Sequence, residues 1–410
     1  MKTMASIALA AVIGSLATVG FAEEGPFQPA RDLRTDVGKW LPTGSPATPR
    51  VWHTATLLDD GRVLVVGGSA PTPPREGEGS TNYLATAELY DPATGTWRAT
   101  TPLNIPRRFH TATRLPDGRV LVAGGTTWSE ALSFRPTQTA ELYDPATETW
   151  IPTVAMRMSR SAHAATLLAD GRVLVVGGHR THNGAAAEAY DPATGTWSWA
   201  GDINIARSLH TVTRLDDGRV LMMGGGDDNF PTDSDPLGAE LYDPRSNQWL
   251  VVPDTPVGMA GHSATLLPDG RVLLGGTDAG LLLFHPATGG WSWAQPPLAA
   301  SGGHTVTVLG DGNVLIVGGQ QATWAGSSIH FHTLDRTERF DPASGTWSLA
   351  PNLNQPRYLH TATLLDDGRV LVVGGLVNGP RNTSSFVPGA EIFVPDFAIC
   401  EKNHYILCGP

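Results

Sequence analysis

The chain has 410 residues, a net charge of −11 and lysine at only three positions, Lys2, Lys39 and Lys402. An acidic chain without clusters of basic residues is not expected to bind nucleic acid or an anionic membrane surface. Its 47 glycines and 12 tryptophans direct attention instead to an internal repeat.

The first 22 residues have the features of a secretory signal peptide. Lys2 supplies the positive charge, an apolar run spans Ile7–Val19, and Gly20 and Ala22 are the small residues before a cleavage point. A membrane span needs about 20 apolar residues, and neither this run nor any later stretch is that long. The mature protein is therefore expected to be exported, periplasmic or extracellular, with no membrane span. Residues 23–36 are expected to form an N-terminal arm.

One sequence unit, first complete over residues 50–97, recurs through most of the remaining chain. It contains a histidine before Thr-Ala-Thr, an apolar stretch ending in Gly-Gly, an aromatic residue before Asp-Pro, and a closing tryptophan. The repeat histidines, about 51 residues apart, are His53, His110, His163, His210, His262, His304 and His360. This period is typical of blade-like repeats and differs from the roughly 34-residue period of paired-helix repeats.

Each unit predicts four short β-strands. The Arg-Val-Leu-Val-Val stretch is a continuous apolar run bounded by turn residues, as expected of a strand covered on both faces. Asp-Gly turns connect the first two strands and Asp-Pro turns connect the last two, because these residues favour tight turns.

The double glycine, the aromatic-Asp-Pro corner and the tryptophan, in that order, resemble the kelch family over residues 40–395. The resemblance implies an all-β fold, a seven-bladed β-propeller over residues 37–396 with one four-stranded sheet per blade. The seventh unit lacks a tryptophan after residues 390–393, and an unpaired Gly38-Lys39-Trp40 precedes the first unit. We therefore predict that this N-terminal segment forms the outer strand of the last blade and closes the ring.

Some relatives with this propeller are copper-radical oxidases such as galactose oxidase. They use a tyrosine cross-linked to a cysteine, a second tyrosine and two histidines, whereas this chain has no cysteine before Cys400. The resemblance is thus to the galactose-oxidase-type propeller without the copper-radical ligands. Cys400 and Cys408 lie in the C-terminal tail, residues 397–410, where they predict a disulfide in an exported protein.

The antiparallel order of the strands sorts the connections of each blade into two faces. Turns 1–2 and 3–4 are short and repetitive, whereas loops 2–3 and 4–1 are long and differ between blades. Because variable loops on a rigid scaffold commonly carry function, we predict the binding face at loops 2–3 and 4–1. Trp128 and Trp324, in two of these loops, are candidate ligand contacts.

An arginine lies three residues before the repeat histidine in five units, at Arg50, Arg107, Arg160, Arg207 and Arg357. Since side chains alternate along a strand, these arginines should point the same way as the residues just before the histidines, which include Trp52 and Phe109. Together they predict an arginine-lined funnel mouth for an anion, a carboxylate or a sugar stacked on Trp52. The alternative is that each arginine pairs with an acidic neighbour or a backbone carbonyl.

The seven repeat histidines are interpreted as structural, with hydrogen bonds to the backbone of a neighbouring blade, because they recur once per blade. Four other histidines, in the loops of blades three and six, could share a divalent metal: His179, His182, His330 and His332. No other cofactor is expected.

These observations favour a binding or interaction protein that recognises a glycan or a protein ligand on its variable face and acts as a monomer. The alternative is a carbohydrate-active enzyme, an isomerase, lyase or oxidase, that uses the loop histidines. The chain contains no Gly-x-Ser-x-Gly, His-Glu-x-x-His or phosphate-binding glycine motif that would favour another reaction.

Overall fold

The computed structural model describes residues 38–71, 81–129, 133–179, 186–226, 238–253, 255, 262–277, 280–294, 302–325, 328–379 and 383–396. All regular structure in these ranges is β, and they contain no helix long and apolar enough to cross a membrane. Seven antiparallel four-stranded sheets form the blades of a β-propeller. The predicted fold and blade number are confirmed.

The four strands of each blade run from the inner strand at the propeller axis to the outer strand at the edge. Their bounds are as follows: blade 1, Thr54–Leu57, Val63–Val66, Ala87–Asp91 and Thr96–Thr100; blade 2, Thr111–Arg114, Val120–Ala123, Ala140–Asp144 and Thr149–Thr153; blade 3, Ala164–Leu167, Val173–Val176, Ala186–Asp191 and Thr196–Asp202; blade 4, Thr211–Arg214, Val220–Met223, Ala239–Asp243 and Gln248–Val252; blade 5, Ser263–Leu266, Val272–Thr277, Gly280–His285 and Gly290–Trp293; blade 6, Thr305–Val308, Val314–Val317, Thr337–Asp341 and Thr346–Ala350; blade 7, Thr361–Leu364, Val370–Val373, Ala390–Val394 and, as its outer strand, Lys39–Pro42.

Among the described residues, four of the 2–3 loops contain an additional two-stranded hairpin, which the repeat pattern does not predict. Their strands are Ser69–Pro71 with Thr81–Tyr83, Thr126–Ser129 with Ser133–Pro136, Gln320–Ala325 with Ser328–Thr333, and Leu376–Asn378 with Ser384–Phe386. These hairpins belong to blades 1, 2, 6 and 7, which are consecutive around the ring.

The core lies between the blades. The second strand of blade 1, Val63–Val66, is fully buried, because neighbouring sheets cover both of its faces. In the third strand Tyr90 packs on Trp97 of the outer strand at a ring distance of 5.0 Å, and the equivalent pair recurs in every blade. The outer tryptophan also reaches the preceding blade: Trp249 Nε1 donates to the carbonyl of Ala200 over 2.9 Å.

The N-terminal strand closes the ring as predicted. Lys39–Pro42 pairs antiparallel with Ala390–Val394, and Trp40 lies opposite Phe393. The two rings are 5.2 Å apart, and Trp40 Nε1 donates to Thr337 Oγ1 of blade 6 over 3.0 Å. Trp40 therefore occupies the place that the closing tryptophan takes in the other blades.

A circle of hydrogen bonds joins the inner strands. The residue after each repeat histidine carries a hydroxyl group in six of the seven blades, and it contacts Nε2 of the histidine in the next blade. The contacts, 2.8 to 3.1 Å long, are Thr54–His110, Thr111–His163, Thr211–His262, Ser263–His304, Thr305–His360 and Thr361–His53. The histidines are structural, as expected, and the contacts that join the blades are made to side-chain hydroxyls, whereas backbone partners were predicted.

One joint of this circle lacks its hydrogen bond. Blade 3 has Ala164 where the other blades have threonine or serine, and His210 Nε2 of blade 4 has no hydrogen-bond partner among the described residues. The backbone of Val176 is the smallest of the influences on the pKa of His210. A buried polar atom left without a partner costs free energy, so the joint between blades 3 and 4 should be the weakest in the circle.

Ala164→Thr should therefore stabilise the protein by about 1 kcal/mol, because the new hydroxyl restores the contact to His210. Thr111→Ala is the matched control: it removes the equivalent bond to His163 and should cost a similar amount. Urea unfolding of both variants measures the two effects. If Ala164→Thr left the urea midpoint unchanged while Thr111→Ala lowered it, His210 Nε2 would already have another hydrogen-bond partner.

Candidate functional site

The predicted funnel arginines lie inside the blades. Arg107 is fully buried, and its Nη2 donates to Glu141 Oε1 over 2.7 Å. Its Nη1 donates to the carbonyls of Gly124 and Thr139 over 2.8 and 3.0 Å. The same buried pair is formed by Arg50–Glu88, Arg160–Glu188, Arg207–Glu240 and Arg357–Glu391. The prediction of an arginine-lined mouth is therefore wrong, and the alternative of intrablade pairing describes all five.

The same glutamates hold the segment that crosses from one blade to the next. Glu141 Oε2 accepts the backbone N–H of Asn104 over 2.8 Å and its side-chain amide over 2.7 Å. Burial lowers the pKa of Arg107, and the negative charge of Glu141 opposes that shift. The Arg107–Glu141 pair is thus an internal network that fixes the 4–1 loop between blades 1 and 2 on blade 2.

Blades 5 and 6 depart from this pattern. Blade 5 has Met259 and Leu282 at the arginine and glutamate positions, and Leu282 is fully buried. Blade 6 has Ser301 at the arginine position, and its Glu338 instead lies 2.7 Å from Nε of Arg336. Met259 and Ser301 are outside the described residues. The glutamate position of the third strand can therefore also be occupied by a buried leucine.

In the six blades where it is described, the residue just before the repeat histidine has a left-handed backbone conformation, which sequence reasoning missed. The φ angles are 57° at Trp52, 54° at Phe109, 51° at Ala162, 56° at Leu209, 68° at Gly303 and 55° at Leu359. This conformation costs about 1–2 kcal/mol at a residue other than glycine. It turns the side chain away from the buried arginine two positions earlier, so the expected strand-like alternation fails here.

The left-handed residues are linked from blade to blade around the axis. Ala162 N donates to the carbonyl of Phe109 over 3.0 Å, and Leu209 N donates to that of Ala162 over 2.9 Å. Leu359 N donates in the same way to Gly303 over 2.8 Å. Each of these residues lies two positions before the start of an inner strand, so together they form the rim of the channel mouth on the face of loops 2–3 and 4–1. We call this surface the ligand face.

Large aromatic residues occupy this rim only in blades 1 and 2 of the described positions. The rings of Trp52 and Phe109 are 4.8 Å apart and partly exposed. The Arg108 guanidinium lies 4.7 Å from the Trp52 ring, 4.6 Å from that of Tyr83 and 5.2 Å from that of Phe109. Cation–π contacts of this kind stabilise a fixed arrangement of rings. We call these four residues the aromatic ledge.

Burial sets the protonation states of the ledge. It raises the pKa of Tyr83 to about 12, against the opposing charge of Arg108, so this phenol stays neutral at physiological pH. Burial also lowers the pKa of Arg108, and Tyr83 opposes that shift. The ledge therefore presents partly exposed apolar ring faces with a cation packed among them.

The hairpins stand beside the ledge as a wall. Those of blades 6 and 7 are joined, because Asn378 N donates to Thr333 Oγ1 over 2.8 Å and Asn378 Nδ2 donates to Gln320 Oε1 over 3.1 Å. Tyr83, at the end of the blade 1 hairpin, connects that hairpin to the ledge. Trp128 and Trp324 belong to hairpin strands of blades 2 and 6, but their side chains are outside the described part of the structure.

Among the described residues, the predicted loop histidines of blades 3 and 6 do not form one cluster. His179 Nε2 is 3.4 Å from Ser208 Oγ, between blades 3 and 4. His330 and His332 are exposed on the blade 6 hairpin, and His332 Nε2 is 3.1 Å from Thr323 Oγ1. Within the described ranges no three histidine, cysteine, aspartate or glutamate side chains converge on one point. His182, Cys400 and Cys408 lie outside these ranges, as do residues 1–37 and 397–410.

Burial lowers the pKa of five of the repeat histidines. Burial is the main cause that lowers the pKa of His110 to about 3, and the charge of Arg107 adds to it. Burial and Arg207 likewise lower the pKa of His210 to about 3. Burial also lowers the pKa of His53, His163 and His360.

Comparison with known families agrees with this architecture. A family model described as the KLHDC2/KLHL20/DRC7 Kelch-repeats domain matches residues 162–375, just over half of the chain, and a model described as the Kelch motif matches residues 53–104. The chain is a kelch-repeat protein. The double glycines and aromatic corners that indicated the family therefore reflect membership in it.

Its curated kelch relatives are distant. The Kelch-like protein terF of Aspergillus terreus is 30% identical over 131 residues, which are 32% of this chain and 27% of that protein. The kelch repeat-containing protein kel-10 of Caenorhabditis elegans is 27% identical over 172 residues, 40% of this chain and 27% of that protein. The kelch-repeat chain thus matches about a quarter of the length of each.

Two solved structures share the fold. A fungal alcohol oxidase of the AA5 family, in complex with copper, superposes with a TM-score of 0.67 at 20% identity and covers 88% of this chain and 77% of its own. The structure of YjhT superposes with a TM-score of 0.51 at 13% identity and covers 84% of this chain and 99% of its own. At these identities the likeness is one of fold.

The buried Arg107–Glu141 pair should show strong coupling. Arg107→Met alone leaves a buried carboxylate without its cation and should cost about 3–5 kcal/mol. Adding Glu141→Leu copies the residue types of blade 5 and should recover at least about 2 kcal/mol of that loss, even though the contact to Asn104 is removed. Urea unfolding of both single variants and the double variant gives the coupling energy. Additive effects would show that the pair does not act as a unit.

The buried histidines should make the protein sensitive to acid. Their folded pKa lies below the ordinary value of about 6.5, so their contribution to stability is complete above that pH and is lost as the pH falls towards 3. Each contributes a slope of about 1.4 kcal/mol per pH unit in this window. His110→Gln should therefore flatten the fall in unfolding free energy between pH 6 and pH 4 relative to wild type. Equal slopes for the two proteins would contradict the assignment.

Proposed function

We propose that this kelch-repeat protein is an exported binding module that holds a glycan or protein ligand on the ligand face. The observation that carries the proposal is the aromatic ledge. Its two partly exposed rings lie at the channel mouth at positions where the other described blades have alanine, leucine or glycine. When one blade has a different residue type at a position that the other blades share, the fold does not require that residue, and it is a candidate for function.

The chemistry of the ledge suits a ligand with a flat apolar face. Exposed aromatic rings stack against the C–H face of a sugar ring or against apolar side chains. The rings of Trp52 and Phe109 are held in place by Arg108 and by the left-handed backbone, so little conformational freedom is lost on binding. The hairpin wall of blades 6, 7, 1 and 2 gives the ligand a second surface beside the ledge.

Export is part of the proposal and rests on residues 1–22, which have the charge, apolar run and small residues of a signal peptide. The Cys400–Cys408 disulfide belongs with it, because such bonds persist in oxidising compartments.

Trp52→Ala and Phe109→Ala test the ledge directly. Ala162 occupies the same left-handed position in blade 3, so the backbone tolerates alanine there. Arrays of neutral and acidic oligosaccharides and of peptides identify a probe that the wild-type protein binds. Each variant should bind that probe with an affinity lower by about 30-fold or more, as expected when a central aromatic contact is lost.

Leu209→Ala, at the equivalent position of blade 4, is the matched control and should bind like wild type. All three variants should unfold at a similar urea concentration. Retention of the bound probe by both ledge variants would exclude this surface, and failure of the wild-type protein to retain any oligosaccharide or peptide would count against a binding module.

A metal-dependent carbohydrate-active enzyme is the second candidate. It is favoured by His330 and His332, which are exposed at alternate positions of one hairpin strand and therefore lie on the same side of it. Two imidazoles so placed can share a zinc or copper ion. Turnover of an oligosaccharide from the same panel, together with a metal that is lost in His332→Ala, would favour this function over simple binding.

A further inference from the structure

The exposed apolar side chains of the described residues are concentrated on one side of the propeller wall. Seven of the eight large exposed ones belong to blades 2 to 5 or to the crossings that leave their outer strands: Ile151, Val154, Trp199, Ile205, Leu250, Val251 and Trp293. The eighth is Leu41 in blade 7. Side chains of this kind gathered on one side of a soluble protein indicate an interaction surface.

A repeated position accounts for much of this asymmetry. Two residues after the closing tryptophan, blades 3, 4 and 5 have Trp199, Val251 and Trp293, whereas blades 1, 2 and 7 have Ala99, Pro152 and Pro42. Residues two apart in a strand lie on the same side of the sheet. The closing tryptophan Trp249 faces blade 3, so Val251 lies on that side of the sheet as well.

The outer strand of each blade is also the last strand of its sheet, which leaves one row of backbone donors and acceptors unpaired. Most of these edges carry a feature that discourages pairing with another chain. Blade 1 has the charged Arg98, blade 2 has Pro152, blade 7 has Lys39 and Pro42, and blade 3 has a register shift next to its outer strand.

The edge of blade 4 has none of these features. Gln248–Val252 is five residues long, uncharged and free of proline, and it pairs in regular register with the third strand. Leu250 and Val251 are 55% and 64% exposed, the latter the largest value among the large apolar residues of the described chain. The outer strand of blade 6 is also uncharged, but its Leu349 is mostly buried, and the outer strand of blade 5 is one residue shorter.

We propose that the edge of blade 4 pairs with the same edge of a second copy of this chain. Antiparallel pairing around a two-fold axis at Leu250 places Leu250 opposite Leu250 of the second copy and Val251 opposite Trp249. The strand is self-complementary because it is short, uncharged and rich in β-branched and aromatic residues. Two-fold pairing forms hydrogen bonds to the open edge of blade 4 in both copies. No free blade 4 edge is then left, so association stops at a dimer.

This surface is on the outer wall, whereas the aromatic ledge is at the channel mouth, so dimerisation and ligand binding can fail independently. The inference departs from the monomer expected from the sequence. The charge of −11 on each copy opposes association, and salt screens that repulsion. The dimer should therefore strengthen as the salt concentration rises.

Sedimentation velocity of the full chain tests the proposal. Wild type should sediment as a dimer at about 100 μM, a concentration that reveals even weak specific association. Leu250→Lys places two like charges opposite each other. The association constant of the dimer should therefore fall by about tenfold or more. Leu41→Lys is the matched control, since Leu41 follows Trp40 in blade 7 as Leu250 follows Trp249 in blade 4, and it should remain a dimer.

A cross-link identifies the surface. In a background with Cys400→Ser and Cys408→Ser, oxidised Leu250→Cys should form a disulfide between two copies, because facing residues in an antiparallel pair have Cα atoms about 4.5–5.5 Å apart. Leu41→Cys should not. A monomeric wild type, a dimer that survives Leu250→Lys, or a dimer without the cross-link would each overturn the proposal.

Discussion

The structure depends on one constraint: a four-stranded sheet with two apolar faces is stable only when neighbours cover both of them. The second strand of blade 1, Val63–Val66, is fully buried because blades 7 and 2 lie on either side of it. A row of such sheets has two uncovered ends unless it bends into a ring. Lys39–Pro42 completes blade 7 for this reason, and Trp40 makes the same aromatic contact there that the closing tryptophans make elsewhere.

The same constraint explains which residues are repeated. The arginine–glutamate pair, the histidine–hydroxyl contact and the aromatic–tryptophan pair each fix one blade or one joint between blades, and so they recur with the blades. A repeated residue is thus a poor candidate for a single ligand site. The candidates for function are the departures: Trp52 and Phe109 at the rim, the hairpins of four consecutive blades, and the uncharged edge of blade 4.

Sequence reasoning succeeded where the pattern is local and failed where it depends on a change of backbone direction. The strands, the blade number and the role of Trp40 follow from apolar runs, turn residues and one unpaired tryptophan. The prediction of a funnel lined by arginines was wrong because Trp52 and Phe109 have positive φ. The arginine two residues before each of them therefore points into the blade, and the aromatic side chain points outwards. No local signal marks this turn, since alanine, leucine, phenylalanine and tryptophan all occupy it.

The sequence by itself determined the kelch propeller, its seven blades and its closure, because periodic burial and tight turns are properties of short segments. Only the tertiary structure decided that Arg107 belongs to the interior, that Arg108 next to it packs among three aromatic rings, and that Leu250 lies on an open edge. These facts depend on which residues, distant in the chain, face each other across the blades. That arrangement exists only once the ring has closed.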